Sequence, residues 1–168
     1  MRAILVATLF SACLCALTAE AEPTLLVMEP EIDGDLGPGG LAGHDARLAL
    51  LEETLTQSIS ANHIYAVVDN RRAEAAFAKN RMRADVYACT PCAVAAGREA
   101  GAERVLSAWV YRMSNLVLSM QAILRDTDTG AIRYATAHDF RGDTEEAWLR
   151  AAARLVAKME EDIPPNLR

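Results

Sequence analysis

From Leu116 to Arg125 the chain alternates without a break. Leu116, Leu118, Met120, Ala122 and Leu124 fall on one side, and Val117, Ser119, Gln121, Ile123 and Arg125 on the other. Only a strand sends successive side chains to opposite faces, so this segment must lie in a sheet with one buried face and one wetter face. Ser114-Asn115 ahead of it and Asp126-Thr127-Asp128-Thr129-Gly130 after it are turn chemistry, since Asn and Asp bond their own backbone and Gly accepts a positive φ. Arg104 to Met113, and a third strand finishing near Phe140, are therefore expected to pair with it antiparallel.

The first half reads differently. Thr24 to Met28 is a short apolar run that stops at Glu29-Pro30, as a buried strand does where proline removes a ladder donor. Asp33-Gly34-Asp35 and Gly37-Pro38-Gly39-Gly40 read as a loop opening a helix, whose apolar positions Leu48, Leu51, Leu55 and Ile59 recur at helical spacing. Ile64 to Val68 is a second apolar run, giving a strand, a crossover helix and a parallel strand. Arg71 to Asn80 and Cys92 to Ala100 are alanine-rich and predict short helices, the second closed by Gly101. Asp143-Thr144-Glu145-Glu146 is a capping-box pattern that opens a last helix with Trp148, Ala152, Leu155 and Met159 on its buried stripe. Glu146, Arg150, Arg154 and Lys158 fall on the opposite, solvated face, with a little pairing between Glu146 and Arg150. The expected fold class is α/β: a mixed five-stranded sheet in the order β-α-β, short helices, β-β-β-α, with helices packed on it.

The N-terminus carries an address. Met1-Arg2, the apolar run Ala3 to Leu17 and the small-x-small triplet Ala19-Glu20-Ala21 make a secretory leader over residues 1–21, with the mature chain beginning at Glu22. The run is shorter than the roughly 20 residues a bilayer core needs. Lipidation at Cys13 is the alternative, but Phe10 is a poor residue for such a site. The expected organisation is one α/β domain over residues 22–163 and a disordered tail over 164–168, in a periplasmic or secreted protein. With 17 Lys and Arg against 23 Asp and Glu the net charge is −6, which argues against general nucleic-acid binding.

Beyond the leader, Cys89 and Cys92 are the only cysteines, and in an oxidising compartment they are expected to form a disulfide. So short a loop gains about 2 kcal/mol on the chain-entropy estimate, so its effect is local. The competing reading is a thiol-disulfide oxidoreductase with Cys89 as nucleophile and Cys92 as resolving thiol, because a helix N-terminus lowers a thiol pKa. Against it, Arg81 to Ala88 is not the buried strand that delivers such a motif. His44, His63 and His138 have no ligand spacing to the cysteines, so no metal is expected, and Ala93 stands where haem attachment needs His. No cofactor is expected either. Gly37-x-Gly39-x-x-Ala42 superficially matches a dinucleotide fingerprint, but its first glycine stands well past the strand end; a flexible loop is expected, with a small-ligand module using Gly37 to Gly43 as the alternative. Asp126-x-Asp128-x-Gly130 lacks the remaining ligands of a calcium loop and reads as a hairpin turn. Trp109 and Trp148 read as core, and Arg141-Gly142-Asp143 as a strand-to-helix turn. Arg71, Arg72, Lys79, Arg81 and Arg83 are the basic cluster on an acidic chain, and the expected contact for a protein partner.

The order of elements resembles the amino-terminal domain of the periplasmic translocation protein TolB and the related domain of the curli-secretion lipoprotein. The residues that carry the likeness are Leu25-Leu26-Val27-Met28, the segment Gly97-Arg98-Glu99-Ala100-Gly101-Ala102-Glu103-Arg104-Val105-Leu106, and the hairpin Asp126 to Gly130. More closely, Cys89-Thr90-Pro91-Cys92-Ala93, Trp109-Val110, Ser114-Asn115-Leu116, Arg141-Gly142-Asp143 and Trp148-Leu149-Arg150 are similar to an uncharacterised family of small secreted proteobacterial proteins. The resemblance implies an envelope protein that acts by binding other proteins rather than by chemistry, and it carries over no functional residue. The propeller of the translocation protein and the extra pore strands of the curli protein have no counterpart in this sequence.

Overall fold

The structure of the protein, a computed structural model, describes residues 22–73, 75, 78 and 86–164. The expected leader, most of the tail, and Lys79, Arg81 and Arg83 of the basic cluster lie outside the described residues. The elements are β1 (Thr24–Val27), β2 (Glu31–Gly34), α1 (Asp45–Ala61), β3 (Ala66–Val67), α2 (Thr90–Ala100), β4 (Arg104–Arg112), β5 (Val117–Asp126), β6 (Ile132–Arg141) and α3 (Glu145–Asp162). Short 3-10 turns occupy Leu41–Gly43, Asn70–Ala73 and Val86–Ala88. The strands form one mixed sheet in the order β3-β1-β4-β5-β6, with β2 also paired to β4. The α/β class and the antiparallel meander β4-β5-β6 are as the alternation predicts.

Strand β2 corrects the expectation of a loop after Pro30. The first strand is interrupted there but resumes, and both pieces run parallel to β4 along the same edge: Val27 pairs with Leu106, and Glu31 with Trp109. Between those pairs Met28-Glu29-Pro30 stands against Ser107-Ala108 only, so the interrupted strand carries one extra residue, a bulge. The extra residue reverses the faces. Leu25 and Val27 enter the main core, Leu26 and Met28 the second core, and beyond the bulge the even-numbered Ile32 packs on the main core. Gly34 ends the piece at φ +94°, where a β-carbon would run into the Arg112 carbonyl. The run Ile64 to Val68 contributes a strand of only two residues, with Ile64 and Tyr65 fully buried ahead of it.

The sheet separates two cores of unequal size. On one face α1 presents Leu51, Leu55 and Ile59, and α3 presents Trp148, Leu155 and Met159, to Leu106, Val110, Leu118, Met120 and Leu124. Each such side chain taken out of water contributes about 1.5–3 kcal/mol. On the other face α2 lays Ala93, Ala96 and Ala100 against Leu26, Met28 and Val105, and no residue of β5 or β6 belongs to this second core. Small residues let α2 lie close. A β-carbon on Gly97 would fall inside contact distance of Thr127 Cγ2.

Helix ends follow local chemistry. Gly101 closes α2 in the left-handed region at φ 71°, as expected. The cap of α3 is Thr144, whose Oγ1 accepts from the Ala147 N–H at 3.3 Å; the capping-box pattern had pointed one residue earlier, to Asp143.

Candidate protein-binding surface

Cys89 caps α2, its Sγ accepting from the Cys92 N–H at 3.3 Å; the two sulfurs are at disulfide distance, with Cα atoms 5.2 Å apart. Cys92 is buried, and Pro91 occupies the first turn, where its missing donor costs nothing. The approach to the pair is tied down by Tyr87, whose ring stacks on Trp109 at 4.5 Å and whose hydroxyl donates to Asp33 Oδ2 at 3.1 Å. Trp109 is thereby buried, as expected for a core residue, and so is Trp148.

Of the basic cluster the structure describes Arg71 and Arg72. Arg71 does not stand free: its Nε donates to Asp69 Oδ2 at 2.9 Å, and this contact holds the Asp69 carboxyl down to about 2. Asp69 and Arg71 also line a cleft of about 480 Å³ between α1 and residues 68–71, which composition did not reveal. Glu52 on its wall accepts from the Asn70 amide, and burial raises its pKa above the ordinary glutamate value.

The Asp126 to Gly130 hairpin is the turn that the residues predict. Asp126 Oδ1 accepts from the backbone N–H groups of Asp128 and Thr129 at 3.1 and 3.0 Å, and Oδ2 from Arg104 and Arg133 at 3.0 and 2.8 Å. The Arg133 contact, then the Thr129 backbone bond, hold this carboxyl well below the usual range. Its lone pairs are committed to the hairpin and to Arg104 at the start of β4. No group of three or more His, Cys, Asp or Glu suited to a metal ion occurs among the described residues.

The glycine loop starts closer to a strand than the sequence suggested, because β2 ends at Gly34. What occupies its inner side is Arg112, only 3% exposed. The Arg112 guanidinium donates to the Asp35 carbonyl, to Asn115 Oδ1, and through Nε to Asp143 Oδ2 at 2.9 Å. Asp143 Oδ1 in turn takes Arg47 Nη1 at 3.1 Å and the Trp148 indole N–H at 3.1 Å, and His44 Nε2 lies 3.0 Å from the Leu36 carbonyl. The acid of Arg141-Gly142-Asp143 is thus half of an internal charge network strapping the loop, the β4-β5 turn and the start of α3 together.

Three exposed apolar side chains around the β4-β5 turn were missed. Leu116, assigned by alternation to the buried row, lies just before β5 and is 69% exposed; Met113 across the turn is 64% exposed and Tyr111 is 40% exposed. Polar turn residues Ser114 and Asn115 flanked by large apolar ones were the available signal. Behind this tip, the β5-β6 part of the sheet face on the α2 side carries half-buried Val117, Gln121 and Ile123 and exposed Ala135 and Ala137. Large apolar groups clustered on a surface mark interaction sites more often than single exposed ones do.

Comparison with known proteins gives a family and a fold. A profile described as "Protein of unknown function (DUF2380)" matches residues 31–159. No curated protein is matched. Escherichia coli LpoB, solved by NMR, is similar in fold at 21% identity and a TM-score of 0.52, the match covering 70% of this chain and 57% of that one. Lipoprotein GNA1162 from Neisseria meningitidis aligns at 21% identity over 83% of this chain and 96% of that one, with a TM-score of 0.45. TolB from Acinetobacter baumannii aligns at 9% identity over 86% of this chain and 30% of that one, with a TM-score of 0.46.

Proposed function

The chain belongs to this family of proteins of unknown function, and we propose that it is a non-enzymatic accessory module of the cell envelope that works by binding another protein. The observation that carries the reading is the exposure of Tyr111, Met113 and Leu116 around the β4-β5 turn, with Tyr111 and Met113 in register with the half-buried β5 row on the α2 side. A protein that keeps three large apolar groups in water at one end of a rigid hairpin loses solvation free energy there unless something covers them. The leader pattern at residues 1–21 supports a periplasmic or secreted location, with residues 22–163 as the working domain. The Cys89-Cys92 pair at disulfide distance is in keeping with an oxidising compartment.

The basic segment Arg71, Arg72, Lys79, Arg81 and Arg83 is a second contact in this reading, so reversing its charges weakens but does not abolish capture. A photoreactive residue in place of Leu116 tests the main surface in the cell of origin. A discrete protein adduct from that position, absent when Ala153 carries the probe and lost on Met113→Ser, is expected. No adduct from positions 111, 113 or 116 overturns the reading. In parallel, the midpoint potential of Cys89-Cys92 separates binding from thiol chemistry: below about −300 mV the bridge is inert, whereas a value near those of oxidoreductases with a rapidly alkylated Cys89 makes thiol exchange the activity.

A further inference from the structure

The edge strands of the sheet are unequal: β3 offers two residues, β2 four and β6 ten. Which main-chain groups of β6 face outward follows from the ladder. The Met113 N–H bonds the Val117 carbonyl at 3.0 Å, so odd-numbered residues of β5 turn their polar groups to β4. Leu118, Met120, Ala122 and Leu124 therefore serve Phe140, His138, Thr136 and Tyr134, and the Gly142 N–H to the Leu116 carbonyl at 3.3 Å continues the same parity. The N–H and C=O groups of Ala135, Ala137 and Asp139 are left pointing away from the sheet.

Beside this edge, a cleft of about 150 Å³ separates residues 138–141 of β6 from α3. Arg141, Arg150 and Arg154 line it, and Asp139 is the one carboxylate on its wall among the described residues. None of the three arginines is in an ion pair among the described residues, and the expected pairing of Arg150 with Glu146 does not reach ion-pair distance. His138, 9% exposed, places Nε2 3.1 Å from the Ala151 carbonyl and leaves Nδ1 buried with no hydrogen-bond partner among the described residues. On a chain of net charge −6 this is a local reversal of sign.

We propose that β6 and this cleft take up an extended acidic segment of a partner protein as an added strand. Its main chain bonds Ala135, Ala137 and Asp139, and alternate carboxylates on the side towards α3 meet Arg150 and Arg154. A second copy pairing along β6 would bring two sets of these arginines together, which like charge disfavours. The inference rests on the reading that the protein binds another protein; it specifies that partner's chemistry at a surface separate from the apolar tip.

The test is fluorescence anisotropy of the full mature chain with a labelled peptide alternating glutamate and valine. Two control peptides accompany it, one with lysine for glutamate and one N-methylated at alternate amides. Arg150→Glu with Arg154→Glu is expected to weaken binding at least about tenfold. Ala137→Pro, which removes only an outward N–H on an edge strand, is expected to do the same. Both proteins should melt as wild type does, and should Ala137→Pro fold poorly, the methylated peptide reports on main-chain pairing without touching the protein. Equal binding of the methylated peptide reduces the site to charge adsorption and overturns strand addition. Equal binding of the lysine peptide overturns the acidic partner, and self-association along β6 in sedimentation assigns the edge to a second copy and overturns it too. Leu116→Ser should bind the peptide normally, so peptide binding lost with tip capture intact refutes this inference alone, and the reverse refutes the tip alone.

Discussion

Two arginines and an indole converge on Asp143, and its substitution tests how much of the loop structure depends on one carboxylate. Removing one member of a buried pair leaves a charge without compensation, so Asp143→Ala should cost about 3–5 kcal/mol in urea unfolding. A loss below about 1 kcal/mol would mean that Asp35 and Asn115 satisfy Arg112 on their own. His138 makes a separate prediction through pH. Burial lowers its pKa from 6.5, with Arg154 and Lys158 adding to the effect against the Ala151 contact. The folded imidazole therefore gives up its proton more readily than the unfolded one. Its contribution is fully present above about pH 6.5 and is lost as pH falls through the lower folded value. His138→Gln keeps a donor for the Ala151 carbonyl and does not titrate. Between about pH 7 and pH 5 its melting temperature should fall less than that of wild type, and parallel profiles would remove His138 from the acid response. Neither role was legible in the sequence. Asp143 looks like a cap because its chain neighbours are helical, whereas Arg112 is 31 residues away, and Arg47, which donates to the Asp143 carbonyl, is 96 away.

Elements with strong periodicity were legible because one face of each is buried: α1, α3 and the meander β4-β5-β6 stand where their apolar spacing puts them. Strand β2 was not, since Pro30, Asp33 and Gly34 argue locally for a loop, and its strand character comes from pairing with β4. The seating of α2 is likewise a property of the pair of surfaces. Gly97→Ala forces a methyl against Thr127 Cγ2 and should cost about 1–3 kcal/mol. Thr127→Ser removes that methyl while keeping the hydroxyl that donates to the Ala102 carbonyl at 2.6 Å. In a double-mutant cycle of urea midpoints, Gly97→Ala should therefore cost distinctly less when combined with Thr127→Ser than it does alone. Additive losses would place the strain elsewhere in the helix.

At the scale of the whole molecule, one face of the sheet carries the larger core, under α1 and α3, and the other a smaller one, under α2. The tip and the β6 edge are alike governed by what fails to pack on them, and a sequence records such absences poorly. The bulge at Met28-Glu29-Pro30 has a consequence of another kind. It works as the sheet's frameshift: one surplus residue changes the parity of everything downstream, so that Ile32, and not Glu31 or Asp33, arrives facing the oily side. Indels in those three residues are then governed by arithmetic more than by chemistry. A single residue gained or lost there misaddresses every side chain up to Gly34, while an exchange of residue type at exposed Glu29 leaves the phase intact. Length, at that point in the chain, carries the information that identity carries elsewhere.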